Sequence, residues 1–172
     1  MTWYDWLIVV VAFERLAELI VSERHVTWAF AHGGIETGKR HYPPMVALHS
    51  GLLIACVVEV HVADRPFIPA LGWTALALVV AANALRWWCI ATLGNQWSTR
   101  VIVVPGLSLV HRGPYRVIPH PNYVAVVVEG LALPLVHTAW VTALVFTVVN
   151  AALLRARIRV ENAALREIAC PT

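Results

Sequence analysis

The sequence predicts an all-α integral-membrane bundle of about five transmembrane segments in a single domain over residues 1–172, the last two segments forming a helical hairpin. Three observations carry this expectation. Of 172 residues, 59% are hydrophobic and only 13% charged, whereas soluble domains are about one-quarter charged. Several apolar runs approach twenty residues, the length that crosses a hydrocarbon layer of about 30 Å. Basic residues collect in alternate connections, the pattern that orients membrane helices.

The first segment is expected from about Trp3 to Val21, with Trp3, Tyr4 and Trp6 as an interfacial aromatic anchor. Asp5 and the absence of a basic cluster before the apolar run argue against a cleaved signal peptide. Glu14 and Glu18 share a helical face, and Arg15 stands three residues before Glu18, within pairing reach. Charges at this depth belong in the bundle interior or at the headgroups. Ser22 to Pro44 reads as a polar connection with Gly33, Gly34, Gly38 and the pair Lys39 and Arg40. Its histidines, His25, His32 and His41, lack the i, i+4 spacing of a helical metal pair, so no metal is expected. Cys56, Cys89 and Cys170 are odd in number and show no CxxC spacing, which suggests neither a disulfide framework nor a zinc site.

A second segment is expected over Met45 to Val62, after Pro43-Pro44, carrying His49 and, near its end, Glu59. A third follows over Leu71 to Leu93, where Asn83 and Arg86 are three apart and face one seam. The connection from Gly94 to Pro119 holds a short β-branched stretch, Arg100 to Val104, before Pro105-Gly106. It is too apolar for a free solvent loop and is expected to fold back on the membrane face. Pro114, Pro119 and Pro121 exclude helix through this region. Helix restarts at Pro121, a favoured first-turn position. From Asn122 to Leu133 only about twelve residues run before a break at Pro134 to Thr138, and a long helix follows from Ala139 to about Ile168.

The connections holding Arg24, Lys39 and Arg40, and Arg100, Arg112 and Arg116, lie on the same side as the tail with Arg155, Arg157, Arg159 and Arg166. The other connections hold Arg65 alone. The expected orientation therefore has the N-terminus outside and the C-terminus in the cytoplasm. Twelve arginines against one lysine, with abundant Ala and Val, suggest a bacterial origin and hence a bacterial plasma membrane. A net charge of +3 without a basic patch interleaved with aromatics gives nucleic acid nothing to bind.

The segment His111 to Glu129, HRGPYRVIPHPNYVAVVVE, gathers the polar and breaker residues of an otherwise apolar region. Asn122 and Glu129 are seven apart and share a face; Asn150, Arg157 and Glu161 likewise share one on the last helix. A pocket formed by His120, Tyr123, Arg157 and Glu161 offers a cation for a carboxylate and an anion for an ammonium, as an amino-acid moiety requires. By spacing alone, Arg157 and Glu161 also fit a plain surface pair, and His120 before a proline also fits a turn-stabilising role.

GPYR-x-x-x-HPNY, the apolar segment with Glu129, and RIRVE about thirty residues on together resemble the isoprenylcysteine carboxyl methyltransferase family over roughly Leu93 to Leu165. The catalytic half would span about 93–168. The resemblance implies a membrane O-methyltransferase that uses S-adenosylmethionine without a Rossmann domain. By the family's pattern, Leu109, Val110, Tyr115, His120, Pro121, Asn122, Tyr123 and Glu161 contact the cofactor, and Arg157 lies on the acceptor side or bridges to the cofactor. Pro119 stands where the family often has arginine, and Asn162 where it often has a second glutamate.

The implied reaction passes a sulfonium methyl to an oxygen nucleophile of a lipophilic substrate, through positioning and exclusion of water. A carboxylate acceptor needs no base; for a phenol or enol, His120 or Glu129 is the expected base. A lipidic small molecule, such as an alkylpyrone or alkylphenol, ranks above a prenylated protein as acceptor. Two other classes compete. A sterol-reductase-like oxidoreductase would share the HPNY-type turn but use NADPH, and a non-enzymatic membrane protein would leave the polar stripes without a role.

Overall fold

Five α-helices account for most of the chain in the computed structural model, which describes residues 2–169: α1 (Trp3–Ala31), α2 (Tyr42–Val62), α3 (Pro69–Leu93), α4 (Pro121–Leu135) and α5 (Trp140–Ala169). Cys170, among the cysteines considered above, lies outside the described residues. Three helices, α2, α3 and α5, are long and apolar enough to cross a membrane. With large apolar side chains such as Phe13, Ile20, Ile54, Val80 and Val148 exposed, the chain is an integral membrane protein whose lipid-facing surface is as greasy as its core.

α4 has 15 residues, about 22 Å at 1.5 Å per residue, and is the most enclosed helix. Tyr123, Ala125, Val126, Glu129, Ala132 and Leu133 are all buried on it. α3 and α5 pack along it, and a single core joins all five helices through Tyr4, Ile8, Leu52, Cys56, Val79, Leu133, Val136 and Phe146. Tyr4 Oη donates to the Leu133 carbonyl at 3.0 Å, fixing the start of α1 against the end of α4. Gly130 makes the α4–α5 crossing possible: a Cβ there would overlap the Phe146 ring. Gly130→Ala is expected to destabilise the protein by about 1–3 kcal/mol through overpacking, read as a lower thermal midpoint in detergent. Phe146→Leu in the same chain should recover part of it.

The end of the bundle holding the α4–α5 turn is a belt of aromatic and charged groups. Trp3 stacks on Trp73 at 6.2 Å, and Arg65 lies 5.0 Å over the Trp140 ring. Glu59, near the end of α2, caps another helix there. Its carboxylate accepts from the backbone N–H groups of Val141 (3.2 Å) and Thr142 (2.7 Å), which lack partners inside α5. Arg65 closes the arrangement at 2.9 Å.

Several expectations need correction. α1 does not end near Val21 but runs ten residues further, to Ala31. No glycine or proline interrupts it before Gly33, and Ser22, Val26 and Ala29 continue its buried face. α2 starts at Tyr42, with Pro43 and Pro44 inside its first turn, where missing N–H groups cost nothing. The expected break at Pro134 falls later, because Pro134 sits in the last turn of α4 and the chain turns over 136–139, with Thr138 at φ 55°. The fold also includes strand. Ile35–Thr37 (β1) pairs antiparallel with Val101–Val103 (β2), in the register Ile35↔Val103 and Thr37↔Val101. The β-branched stretch thus forms a ribbon with the first connection.

A buried ring of charge crosses the bundle interior. Arg15 Nη1 binds Glu18 Oε2 at 2.8 Å and Nη2 lies 3.3 Å from Glu129 Oε1. Arg86 pairs directly with Glu129 and lies 3.4 Å from Glu18 Oε1. Asn83 accepts from Arg15 at 2.7 Å, so Asn83 and Arg86 do share a seam. Two guanidinium and two carboxylate groups alternate, tying α1, α3 and α4 together where isolated charges would be prohibitive.

Candidate functional site

The start of α4 faces the last turns of α5 across a cavity of about 670 Å³, within the usual range for small-molecule sites. Three features of the sequence build it. Pro121 opens α4 and His120 is its N-cap residue. Gly113, at φ 56°, lets the chain turn into GPYR against Thr92 and Trp88, where a side chain would collide. The β1–β2 ribbon brings Val101 to Val103 into the cavity lining.

Of the expected site residues, Leu109, Val110, Tyr115, His120, Asn122, Tyr123, Arg157 and Glu161 all line this cavity. Pro121 does not; it is fully buried at the first turn of α4 and shapes the site only by starting the helix. Glu129 does not line it either. It belongs to the charge ring with Arg86 and Arg15, about 10 Å deeper along α4 than Asn122 at two helical turns. The expected grouping of Glu129 with Asn122 in one pocket is thereby corrected: Glu129 does not border this cavity.

Arg157 and Glu161 do not form the plain surface pair that their spacing permits. Tyr123 stands between them: Arg157 Nε donates to the Tyr123 hydroxyl at 2.9 Å, and that hydroxyl donates to Glu161 Oε2. Arg157 is held at its other nitrogens too, Nη2 to the Thr99 carbonyl at 2.5 Å and Nη1 to Met45 Sδ at 3.3 Å. On the far side of Glu161, Oε1 lies 3.6 Å from His120 Nδ1, and His120 Nε2 donates to Asn162 Oδ1 at 3.1 Å. Asn162 therefore completes the imidazole's hydrogen bonding, with Pro119 beside it in the cavity wall. Asn150, on the same face of α5, is buried two turns deeper and outside the cavity.

The Glu161 carboxylate beside the ring raises the His120 pKa against an opposing effect of burial. Its ordinary value is about 6.5, so the contact contributes stability in full below that pH. It is lost as pH climbs through the raised value. The difference in thermal midpoint between the wild type and His120→Gln should therefore shrink between pH 6 and pH 9; a constant difference would sever His120 from Glu161. Burial pushes the Tyr115 phenol up, with Cys89 adding to it. Tyr115 thus remains a neutral donor.

One wall escaped the sequence reading. Trp97, Ser98 and Arg100 line the cavity, with His25 and Ala29 of α1. The polar run Asn95 to Thr99 directly after an apolar helix was the available signal; only the length of α1 and the ribbon show where it leads. Glu161 is the one carboxylate lining the cavity among the described residues, together with Arg100, Arg116 and Arg157 and the rings of Trp97, Tyr115 and Tyr123. Such a lining suits a ligand with an ammonium, a carboxylate and a flat ring.

The family model described as "Isoprenylcysteine carboxyl methyltransferase (ICMT) family" matches residues 75–167. The "Uncharacterized protein YpbQ" of Bacillus subtilis (strain 168) is 36% identical over 164 residues, covering 94% of this chain and 96% of that protein. An "Uncharacterized protein" of Haemophilus influenzae is 26% identical over 155 residues, 90% of each chain. No solved structure matches the chain.

Proposed function

This chain belongs to the isoprenylcysteine carboxyl methyltransferase family, and from that membership we propose that it is an S-adenosylmethionine-dependent O-methyltransferase acting on a lipophilic acceptor. The observation that carries the reading is a single cavity lined jointly by the HPNY turn and by Arg157 and Glu161. The lining fits the cofactor: Glu161 suits the ammonium of its amino-acid end, the cavity's guanidinium groups suit the carboxylate, and Trp97, Tyr115 or Tyr123 gives the purine a face. When bound, S-adenosylmethionine supplies an electrophilic methyl on a sulfonium.

The protein's own part is positioning and exclusion of water. Tyr123 holds Arg157 and Glu161 in fixed relation, and Arg157 orients an oxygen nucleophile on the acceptor side. A carboxylate acceptor is already a nucleophile. For a phenol or enol acceptor, which gives up a proton, the proposed base is neutral His120, whose Nε2–H stays on Asn162 while Nδ1 takes the proton and gains the Glu161 carboxylate as its partner. The proposed acceptor is a small lipid, an alkylpyrone or alkylphenol in preference to a prenylated protein. The proposed setting is a bacterial plasma membrane, with the N-terminus outside and the site and C-terminus in the cytoplasm. Membrane lipids surround the helices, and no nucleic acid takes part.

Calorimetry on the detergent-purified protein tests this. Binding of S-adenosylmethionine and S-adenosylhomocysteine is expected. Binding of neither, with tight binding of NADPH, would replace the methyltransferase with a reductase.

A further inference from the structure

The first helix lies outside residues 75–167 matched by the family model, yet its inner face reaches the site. Arg15, Glu18, Ser22, His25 and Ala29 follow one another at spacings of three and four, which places them on a single stripe. The upper part of this stripe is anchored in the charge ring. The lower part grips the segment Trp97 to Arg100. Ser22, which is 0% exposed, accepts from the Thr99 N–H at 2.9 Å, and the two hydroxyls share a hydrogen bond at 2.8 Å. Glu23 Oε1 accepts from Arg100 Nη2 at 2.9 Å, and His25 Nδ1 donates to the Trp97 carbonyl at 2.8 Å.

Thr99 is the pivot of this arrangement. Its N–H and hydroxyl are held by Ser22, and its carbonyl accepts from Arg157 Nη2. Arg157 in turn holds Tyr123, and Tyr123 holds Glu161. A hydrogen-bonded chain therefore runs from Ser22 of α1 to Arg157 and Glu161, two of the α5 residues that line the cavity. We infer that Ser22 is a positioning residue: by fixing Thr99 it sets the orientation of the Arg157 guanidinium, so that α1 is part of the reaction machinery. The inference rests on the methyltransferase reading for its kinetic consequence, while the coupling of Ser22 to Arg157 stands on the contacts alone.

Ser22→Ala removes the hydroxyl and with it the partner of the Thr99 N–H. Since misplacement by about 1 Å can cost about 10²-fold in rate, kcat is expected to fall about 10- to 100-fold, with KM for the cofactor changing much less. Ser22→Thr, which keeps the hydroxyl, should restore most of it. In an Arg157→Ala background, Ser22→Ala should cost nothing further. The ligand-free protein gives a second readout. The Nε–Hε resonance of Arg157, assigned by its loss in Arg157→Lys, should shift and exchange faster with water in Ser22→Ala. Ser22→Cys, nearly isosteric with a weaker acceptor, serves if the alanine variant does not fold.

An unmoved Arg157 resonance, or an equal loss of rate with and without Arg157, would overturn the inference. If the wild type binds neither S-adenosylmethionine nor its demethylated product, the methyltransferase reading fails by itself. The resonance then still decides whether Ser22 positions Arg157.

Discussion

Glu161→Ala is expected to abolish measurable binding of S-adenosylhomocysteine while leaving the protein folded. Glu161 is the only carboxylate lining the cavity among the described residues, and three arginines line it too. Its loss leaves a ligand ammonium without a carboxylate in a cavity that Arg116 and Arg157 also line. Truncating one member of a buried, hydrogen-bonded charge pair costs about 2–5 kcal/mol, at least about 30-fold in affinity. Glu161→Gln keeps the shape and one acceptor, so it should fall between wild type and alanine. Calorimetry in detergent measures both, with thermal unfolding as the control for folding. Unchanged affinity in Glu161→Ala would remove this residue from the site and, with it, the pairing of the HPNY turn with α5 on which the functional reading depends.

The second large effect concerns stability. Arg86→Ala strands Glu129, which is 6% exposed, with only Arg15 for a partner. Breaking a buried ion pair by removing one member costs about 3–5 kcal/mol. The expected outcome is a sharply lowered thermal midpoint in detergent. Arg86→Met combined with Glu129→Leu should recover much of that loss, because the double change leaves no unpaired charge. Strictly additive losses would show that the two side chains do not act as a pair. Glu129→Gln should retain cofactor affinity, since Glu129 does not border the cavity.

How far the fold could be read in advance depended on how local its determinants are. The α3 seam of Asn83 and Arg86, the helix start at Pro121 and the return of α5 follow from periodicity and proline placement, and all were legible. The stripe of Asn122 and Glu129 was legible as a face but misleading as a place. A spacing of seven returns to the same side of a helix two turns away, so it fixes azimuth and says nothing about depth. Glu129 therefore joined a different polar cluster. The wall from Trp97 to Val104 was hidden for another reason. It depends on β pairing with residues 35–37, more than sixty positions earlier, and on an α1 whose polar end stays helical because Ser22, Glu23 and His25 find partners on another segment. Neither cause leaves a signature in a local window.

The shortness of α4 bears on how an acceptor would arrive. The turn after it lies at the interfacial belt of Trp3, Trp73 and Trp140, so a helix of about 22 Å from that level stops short of a hydrocarbon layer of about 30 Å. By that length the HPNY turn and the cavity beside it would lie within reach of lipid chains, short of the opposite headgroup level. For the proposed lipophilic acceptor, entry would then be by lateral diffusion, and the concentration governing turnover would be its mole fraction in the membrane. Adding inert detergent at constant total acceptor should slow the reaction in proportion to that dilution.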